Sequence, residues 1–97
     1  MHGNSNQNDE SHHLYEIWDE QEQEIFKYGI SSEPIKDDGL SKRVKEQVQI
    51  LNLAAGWLRY LARIILKHLP NRILAKEKED EYMDAFEAQY SRLPRAI

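Results

Sequence analysis

The sequence predicts an α+β fold in which a small three-stranded antiparallel sheet is flanked by helices, in the order β-β-α-β-α. Two observations support this prediction. Short runs rich in aromatic and branched residues lie near the start of the chain and are typical of strands. Later segments repeat their apolar residues at helical spacing and are separated by turn-forming residues. The third strand is the one element that periodicity alone leaves open.

Length and composition limit the class of protein. The chain has 97 residues, which suffice for one domain with a single modest core. Hydrophobic residues make up 40% and charged residues 31%, so a wholly disordered chain is excluded. Without cysteine, the chain has neither a disulfide framework nor a thiolate metal site.

No segment of the sequence is suited to the membrane or to classical export. The most apolar run, residues 58–69, is interrupted by three basic residues and is shorter than the roughly 20 apolar residues that a spanning helix needs. The first residues, MHGNSNQNDESHH, lack the apolar region of a signal peptide. We therefore expect no membrane partner and no export by the classical route.

The charge is distributed unevenly along the chain, although the net charge of −4 by itself argues against a nucleic-acid partner. Residues 1–39 contain two basic and ten acidic residues, whereas residues 40–97 contain eleven basic and seven acidic residues. An asymmetry of this kind permits a nucleic-acid surface on the basic half without requiring one.

The first structured part of the sequence is a hairpin. Residues 14–18, LYEIW, and residues 25–30, IFKYGI, read as two strands joined by a polar loop. Residues 1–12 are polar and read as a flexible lead or linker, so we expect the domain to occupy residues 13–97.

The remaining segments contain two helices and one ambiguous run. Ser41 is a natural N-cap for a helix that should end near Asn52, and Arg72 to about Tyr90 is clearly helical. Between them, residues 57–69 fit either an amphipathic helix or a strand with a basic face. The pattern does not decide between the two.

Glu79 stands out because it lies in the inward stripe of the last helix. It comes four residues after Ala75 and four before Met83. A buried unpaired carboxylate is costly, so Glu79 should meet a cation. That cation would be a metal ion or one of the basic side chains Arg43, Arg59 or Arg63.

Two basic residues also lie at positions where a charge is unusual. Lys27 is charged, mid-strand, and on the face that Tyr15 shares across the hairpin; the ordinary interpretation is an edge-strand lysine that discourages aggregation. Arg43 lies in the first turn of its helix, where the helix dipole disfavours a cation. A phosphate or Glu79 would compensate for that position.

Taken together, "LYEIWDEQEQEIFKYGIS", "GLSKRV" and "AKEKEDEYMDAF" resemble the GIY-YIG nucleases. In this resemblance Tyr15 matches the tyrosine of the first motif, Gly29 the glycine of the second, Arg43 the helix arginine and Glu79 the metal-binding glutamate. The tyrosine of the second motif falls on Lys27, which matches the branch that reads K-x-G-I-T/S. Glu77 is the alternative ligand if the register differs by half a turn.

The resemblance has consequences for fold and origin. It implies that residues 60–67 form a third strand, which would place three basic residues in a row on one face if the alternation holds: Arg59, Arg63 and Lys67. The strings "HLYEI", "FKYGIS" and "LPR" are also similar to toxin domains at the ends of polymorphic bacterial effectors. That similarity implies action in the cytoplasm of a target cell and a cognate immunity protein.

The activity implied by the resemblance is metal-dependent hydrolysis of phosphodiester bonds, with DNA expected rather than RNA. Glu79 would hold Mg²⁺ or Mn²⁺, Tyr15 would orient or deprotonate the attacking water with help from Lys27, and Arg43 would bind the scissile phosphate. Further basic residues are hypothesised to hold the nucleic acid: Lys42, Arg59, Arg63 and Lys67.

Two other classes of function stay open on the sequence. The chain would be a catalytically inactive nucleic-acid binder if the loss of the second tyrosine abolished the chemistry. It would instead be a protein-binding, immunity-like module if its acidic first 39 residues mimicked a nucleic-acid surface.

Overall fold

A computed structural model describes residues 11–96, and it has the predicted architecture. Three strands form one antiparallel sheet in the order β2-β1-β3, and two helices complete the order β-β-α-β-α. The α+β prediction is therefore confirmed. The elements are β1 His12–Asp19, β2 Glu24–Ser31, α1 Lys42–Ala55, β3 Tyr60–Leu69 and α2 Arg72–Tyr90.

The ends of four elements differ from the sequence prediction, because all three strands and α1 are longer than predicted. Helix α1 continues past Asn52 through two alanines and ends at Gly56, which adopts the left-handed conformation with φ of 82°. Strand β1 begins at His12, one residue before the predicted domain boundary, because pairing with Leu69 of β3 extends it. The rest of the predicted lead, up to residue 10, lies outside the described residues.

The ambiguous segment after α1 is a strand, as the family resemblance implied. Strand β3 pairs with β1, which is the central strand and is bonded on both sides. Side chains on both faces of β1 are fully buried, with Leu14 on one face and Ile17 on the other at 0% exposure. A helix over residues 60–69 would leave this edge of β1 without hydrogen-bond partners.

The two helices cover opposite faces of the sheet. Tyr15 and Ile17 of β1 pack with Val44 of α1 in one buried cluster. Leu14, on the other face of β1, packs with Ala75 of α2 in a second cluster. Because consecutive strand residues point to opposite faces, α1 lies over the Tyr15 face and α2 over the Leu14 face.

A buried carboxylate ties the first hairpin to the end of the chain. Asp19 is 0% exposed and accepts two hydrogen bonds from Arg59, from Nε at 2.8 Å and from Nη2 at 2.9 Å. Arg95 also donates to Asp19, and the backbone N–H of Gln21 donates to the same carboxylate at 2.9 Å. These donors hold the pKa of Asp19 far below its usual value.

The lowered pKa of Asp19 predicts a loss of stability in acid. Because the folded-state pKa lies below the unfolded value of 3.8, the stability that this carboxylate contributes is present above that value. It is lost as the pH falls through 3.8 toward the folded-state pKa. Urea unfolding between about pH 6 and pH 2.5 should therefore show a steep fall in stability below about pH 4.5.

Asp19→Asn is the control for this titration, because it removes the titrating group and keeps the shape of the side chain. Its stability should depend less steeply on pH below about 4.5 than that of the parent chain. Equal slopes for the two chains would show that other carboxylates govern the acid transition.

Apolar side chains are exposed around the end of α1. Ile50 is 68% exposed, Leu53 84%, Trp57 49% and Leu58 78%. We call these four residues the α1-end patch. Contiguous exposed apolar side chains are a common feature of surfaces that bind other proteins.

Within residues 11–96, no helix combines the length and the apolar character that crossing a bilayer requires.

Candidate functional site

Tyr15 and Lys27, two of the predicted catalytic residues, meet through a third side chain, Gln47 of α1. The Lys27 Nζ donates to Gln47 Oε1 at 2.7 Å, and Gln47 Nε2 donates to Tyr15 Oη at 3.0 Å. An ammonium group only donates, so the amide oxygen must face Lys27 and the amide NH₂ must face the tyrosine. The hydroxyl of Tyr15 therefore accepts within this network, and its own proton is directed elsewhere.

Gly29 makes room for the ring of Tyr15. The two residues are paired across the hairpin, so they share one face of the sheet. A Cβ atom on Gly29 would lie 2.4 Å from both Cζ and Oη of the tyrosine. Any larger residue at position 29 would displace the phenol group of Tyr15, which is only 3% exposed. The glycine of the "KYGI" segment thus has a steric role in the site.

Arg43 lies one helical turn before Gln47 on the same face of α1, since residues four apart are neighbours on a helix surface. Its backbone N–H donates to the carboxylate of Glu33 at 3.0 Å. Within the part of the chain that the structure describes, no carboxylate forms an ion pair with its guanidinium group. The side chain is exposed and available to an anion.

The N-terminus of α1 is capped by Glu33 and not by Ser41. Ser41 occupies the N-cap position, but its side chain makes no capping hydrogen bond and its hydroxyl is buried without a partner. The carboxylate of Glu33 supplies the negative charge that favours this end of the helix dipole. It also compensates for the unfavourable position of Arg43 in the first turn.

Glu79 has a cation, but the partner is on its own helix. Its side chain is 14% exposed and its Oε1 lies 2.6 Å from the Nζ of Lys76, one turn earlier. None of the three arginines that the sequence suggested is the partner. Helix α2 packs on the Leu14 face, so the structure does not join Glu79 to Tyr15 by a contact.

The carboxylate of Glu79 is the type of ligand that a hard cation such as Mg²⁺ binds. A carboxylate with an exposed lysine as its partner is a suitable single ligand for Mg²⁺ or Mn²⁺, whose remaining ligands would be water. Among residues 11–96, no group of three or more His, Cys, Asp or Glu side chains converges on one point. Glu77, the alternative ligand, is exposed on roughly the opposite side of the helix, because residues two apart differ by about 200° around the helix axis.

The predicted basic row on β3 does not form, which corrects that expectation. Arg59 precedes the strand and is held by Asp19, whereas Arg63 pairs with Glu16 on the Leu14 face at 3.0 Å. The side chains of β3 do not alternate strictly between the two faces, because the β1–β3 register shifts twice near residues 12–15 of β1. Lys67 lies in this irregular part of β3 and is therefore not in line with Arg63. The role of these residues in nucleic-acid binding stays a prediction.

Lys42 also lies at the start of α1, where it is exposed and 3.9 Å from Glu46. A surface ion pair of this length holds the side chain weakly, so the ammonium group remains accessible to an anion. Its predicted role in nucleic-acid binding likewise stays a prediction.

Sequence reasoning did not single out Gln47, although a signal for it was present. Gln47 follows Val44 by three residues and precedes Leu51 by four, so helical periodicity alone places it near the face toward the sheet. A polar residue in that stripe requires a polar partner. Lys27 and Tyr15 of the hairpin supply it.

The fold and the site define a small α+β domain in which a central strand presents a buried tyrosine, bridged to a lysine by a helix glutamine. The chain belongs to the family described as URI fold toxin 2, whose model matches residues 5–91. It is therefore a toxin domain of the URI fold, a fold compatible with a nuclease toxin. No curated protein and no solved structure matches the chain.

Proposed function

We propose that this toxin domain is a GIY-YIG-type endonuclease that hydrolyses phosphodiester bonds. The observation that carries the proposal is the Lys27–Gln47–Tyr15 network, with Gly29 shaped to accept the tyrosine ring. Core packing alone does not require this arrangement, in which a glycine leaves room for the tyrosine ring and a half-buried lysine orients the phenol through a glutamine.

Tyr15 orients the attacking water in this proposal. Gln47 donates to its Oη, so the hydroxyl proton and one lone pair of the tyrosine remain for groups outside the network. Gln47 is in turn held by Lys27 at 2.7 Å, which restricts the tyrosine to one position. A fixed donor and acceptor of this kind lowers the entropic cost of placing a water molecule for attack.

Arg43 binds the phosphate that is cleaved. Its guanidinium group is exposed and free of carboxylate partners among the described residues, and its forked donors match two phosphate oxygens. The backbone N–H of Arg43 stays on Glu33, so the helix end is fixed while the side chain reaches the substrate.

Metal dependence is a further part of the proposal. Glu79 would hold Mg²⁺ or Mn²⁺, and a bound cation would neutralise phosphate charge. Because α2 covers the face of the sheet opposite Tyr15 and α1, the support for this role is the family resemblance of Glu79 and its partial burial, not a contact with Tyr15 or Arg43. When the metal ion binds, the carboxylate would release Lys76. Breaking an ion pair with an exposed lysine costs little free energy.

Cleavage assays test the proposal. The purified chain is incubated with supercoiled plasmid and with total RNA, each with Mg²⁺ and with EDTA, and we expect cleavage of DNA only with the metal ion. Glu79→Gln and Tyr15→Phe should each reduce cleavage by at least about 100-fold. Glu77→Gln is the matched control, because this exposed glutamate lies two residues away on the same helix and should not be needed.

Two results would contradict parts of this function. Full activity of Glu79→Gln together with loss in Glu77→Gln would move the metal ligand to Glu77. Binding of nucleic acid without any cleavage, unaffected by EDTA, would show an inactive binder.

We also propose a place of action and a partner for the toxin. A toxin of the URI fold that cuts nucleic acid must reach the cytoplasm of a target cell, and the producing cell must hold a cognate immunity protein. Coexpression with candidate neighbours of the gene should identify that protein by restored growth.

A protein-binding function is the second candidate, and the α1-end patch favours it. Leu53 is 84% exposed and Leu58 78% exposed, which is costly in water unless a partner covers them. If the cleavage assays show no activity, binding through this patch becomes the principal function.

A further inference from the structure

A pocket of about 510 Å³ lies beside the proposed site, where the start of β1 and the end of β3 face the loop after β2. Its volume is within the range of sites that bind small ligands. Polar, basic and apolar side chains line it, and those that bear on its chemistry are His13, Ser32, Glu33, Ile35, Lys67 and His68.

His13 is the least expected member of the lining. The residue is 3% exposed, and its Nε2 atom is buried without a hydrogen-bond partner. Burial lowers the pKa of the imidazole, with the neighbouring His12 as a smaller cause and Glu33 acting in the opposite direction, which favours the neutral form of His13. Native proteins leave few buried polar atoms unpaired, and His13 lines the pocket, so a ligand that reaches its Nε2 would supply the missing partner.

The end of β3 is irregular where it meets the pocket. The β1–β3 register shifts between His12 and Leu14, and His68 has a φ of 59°, which is uncommon for any residue other than glycine. As a result of this irregularity, the consecutive residues Lys67 and His68 both line the pocket. Lys67 forms no ion pair with a carboxylate of the described residues.

Two residues that line the pocket contact or adjoin the proposed catalytic residues. His13 lies two residues before Tyr15 on the same face of β1, and their ring centroids are 6.4 Å apart. Glu33, which also lines the pocket, accepts a hydrogen bond from the backbone N–H of Arg43 at 3.0 Å. A ligand in the pocket would therefore lie next to a phosphate held by Arg43.

We propose that this pocket binds an unpaired nucleobase of the substrate strand, adjacent to the phosphate that is cleaved, with Lys67 on the phosphate of the same nucleotide. The neutral imidazole of His13 supplies one hydrogen bond to the edge of the base, and Ile35 supplies an apolar wall. This inference rests on the proposed nuclease function and names the form of its substrate.

The form of the substrate follows from the shape of the pocket. A base in a duplex is stacked and paired, so it enters a recess only when it is flipped out or already single-stranded. The domain should therefore prefer single-stranded or locally opened nucleic acid over a continuous duplex.

Nuclear magnetic resonance of the histidine side chains tests the pocket without any need for cleavage. The full 97-residue chain is titrated with ribonucleoside and deoxyribonucleoside 5′-monophosphates, with the matching nucleosides and with inorganic phosphate. The expected result is a shift of the His13 Nε2 signal with nucleotides, and a smaller one with nucleosides. The same shift with inorganic phosphate alone, or no shift with any probe, would overturn the proposal.

Two variants separate the parts of the pocket. His13→Phe keeps an aromatic ring and removes the unpaired nitrogen, so the chain should be at least as stable as the parent while nucleotide affinity falls about tenfold. Lys67→Ala should weaken binding of the nucleotides about tenfold and leave binding of the nucleosides unchanged. Unchanged nucleotide affinity in both variants would also overturn the proposal.

The same samples distinguish this inference from the proposed function. Nucleotide binding at His13 without cleavage of any polymer would support the pocket and contradict the nuclease. Cleavage with equal rates for single-stranded and duplex substrates, and with His13→Phe as active as the parent, would support the nuclease and contradict the pocket.

Discussion

Replacing Gly29 by alanine is expected to reduce nucleic-acid cleavage by about 100-fold, because displacement of a catalytic group by about 1 Å costs that much. The new Cβ would lie 2.4 Å from the Oη of Tyr15, so the phenol must move away from Gln47. Overpacking of this kind also destabilises a fold by about 1–3 kcal/mol. Cleavage rates and urea unfolding measure the two effects separately.

Gly39→Ala is the matched control for this prediction. Gly39 has a φ of 84°, and a Cβ atom added there would have no neighbour within 4 Å, so alanine strains the backbone without any clash. It should lower stability and leave the cleavage rate unchanged. A double-mutant cycle with Tyr15→Ala completes the test, since the cost of Gly29→Ala in stability should disappear once the ring is absent. A cost that persists would place the clash elsewhere.

Asp19→Ala is expected to lower the free energy of unfolding by about 3 kcal/mol, within the range found when one partner of a buried ion pair is removed. The change leaves Arg59 without a carboxylate partner, leaves Arg95 with only Glu24 at 3.7 Å, and removes the acceptor for the backbone N–H of Gln21. For a domain of this size, thermal unfolding should shift downward by more than about 10 °C.

Asp38→Ala is the control, because Asp38 is a carboxylate in an exposed ion pair with Lys45. Exposed pairs contribute little, so its unfolding should change only slightly. Similar losses in the two variants would show that the burial of Asp19 is not what makes it important.

The sequence predicted the order of elements because each strand and helix carries its own local signal. It also brought Tyr15, Lys27 and Gly29 to one face, since the alternation of a hairpin with a short loop determines which residues share a side. The family resemblance was needed for β3, whose amphipathic pattern suits either kind of element.

What the sequence did not predict depends on irregularities and on distant pairs. The row of Arg59, Arg63 and Lys67 assumed strict alternation, and β-bulges have no dependable signature in a single sequence. The partners of Asp19 lie 40 and 76 residues away, so no local pattern connects them. The partner of Glu79 is local: Lys76 lies three residues earlier on the same helix, whereas the sequence prediction named distant arginines.

The contact between Asp19 and Arg95 forms late when the chain leaves a ribosome or a translocation channel with its N-terminus first. The hairpin is complete after 31 residues, but its buried carboxylate gains its second arginine only when residue 95 is free to fold back. While residue 95 is still confined in a ribosome tunnel or a narrow translocation channel, that carboxylate has only Arg59 as its ion-pair partner, so the fold is less stable. The free energy of unfolding should therefore rise when residue 95 becomes free to bind Asp19.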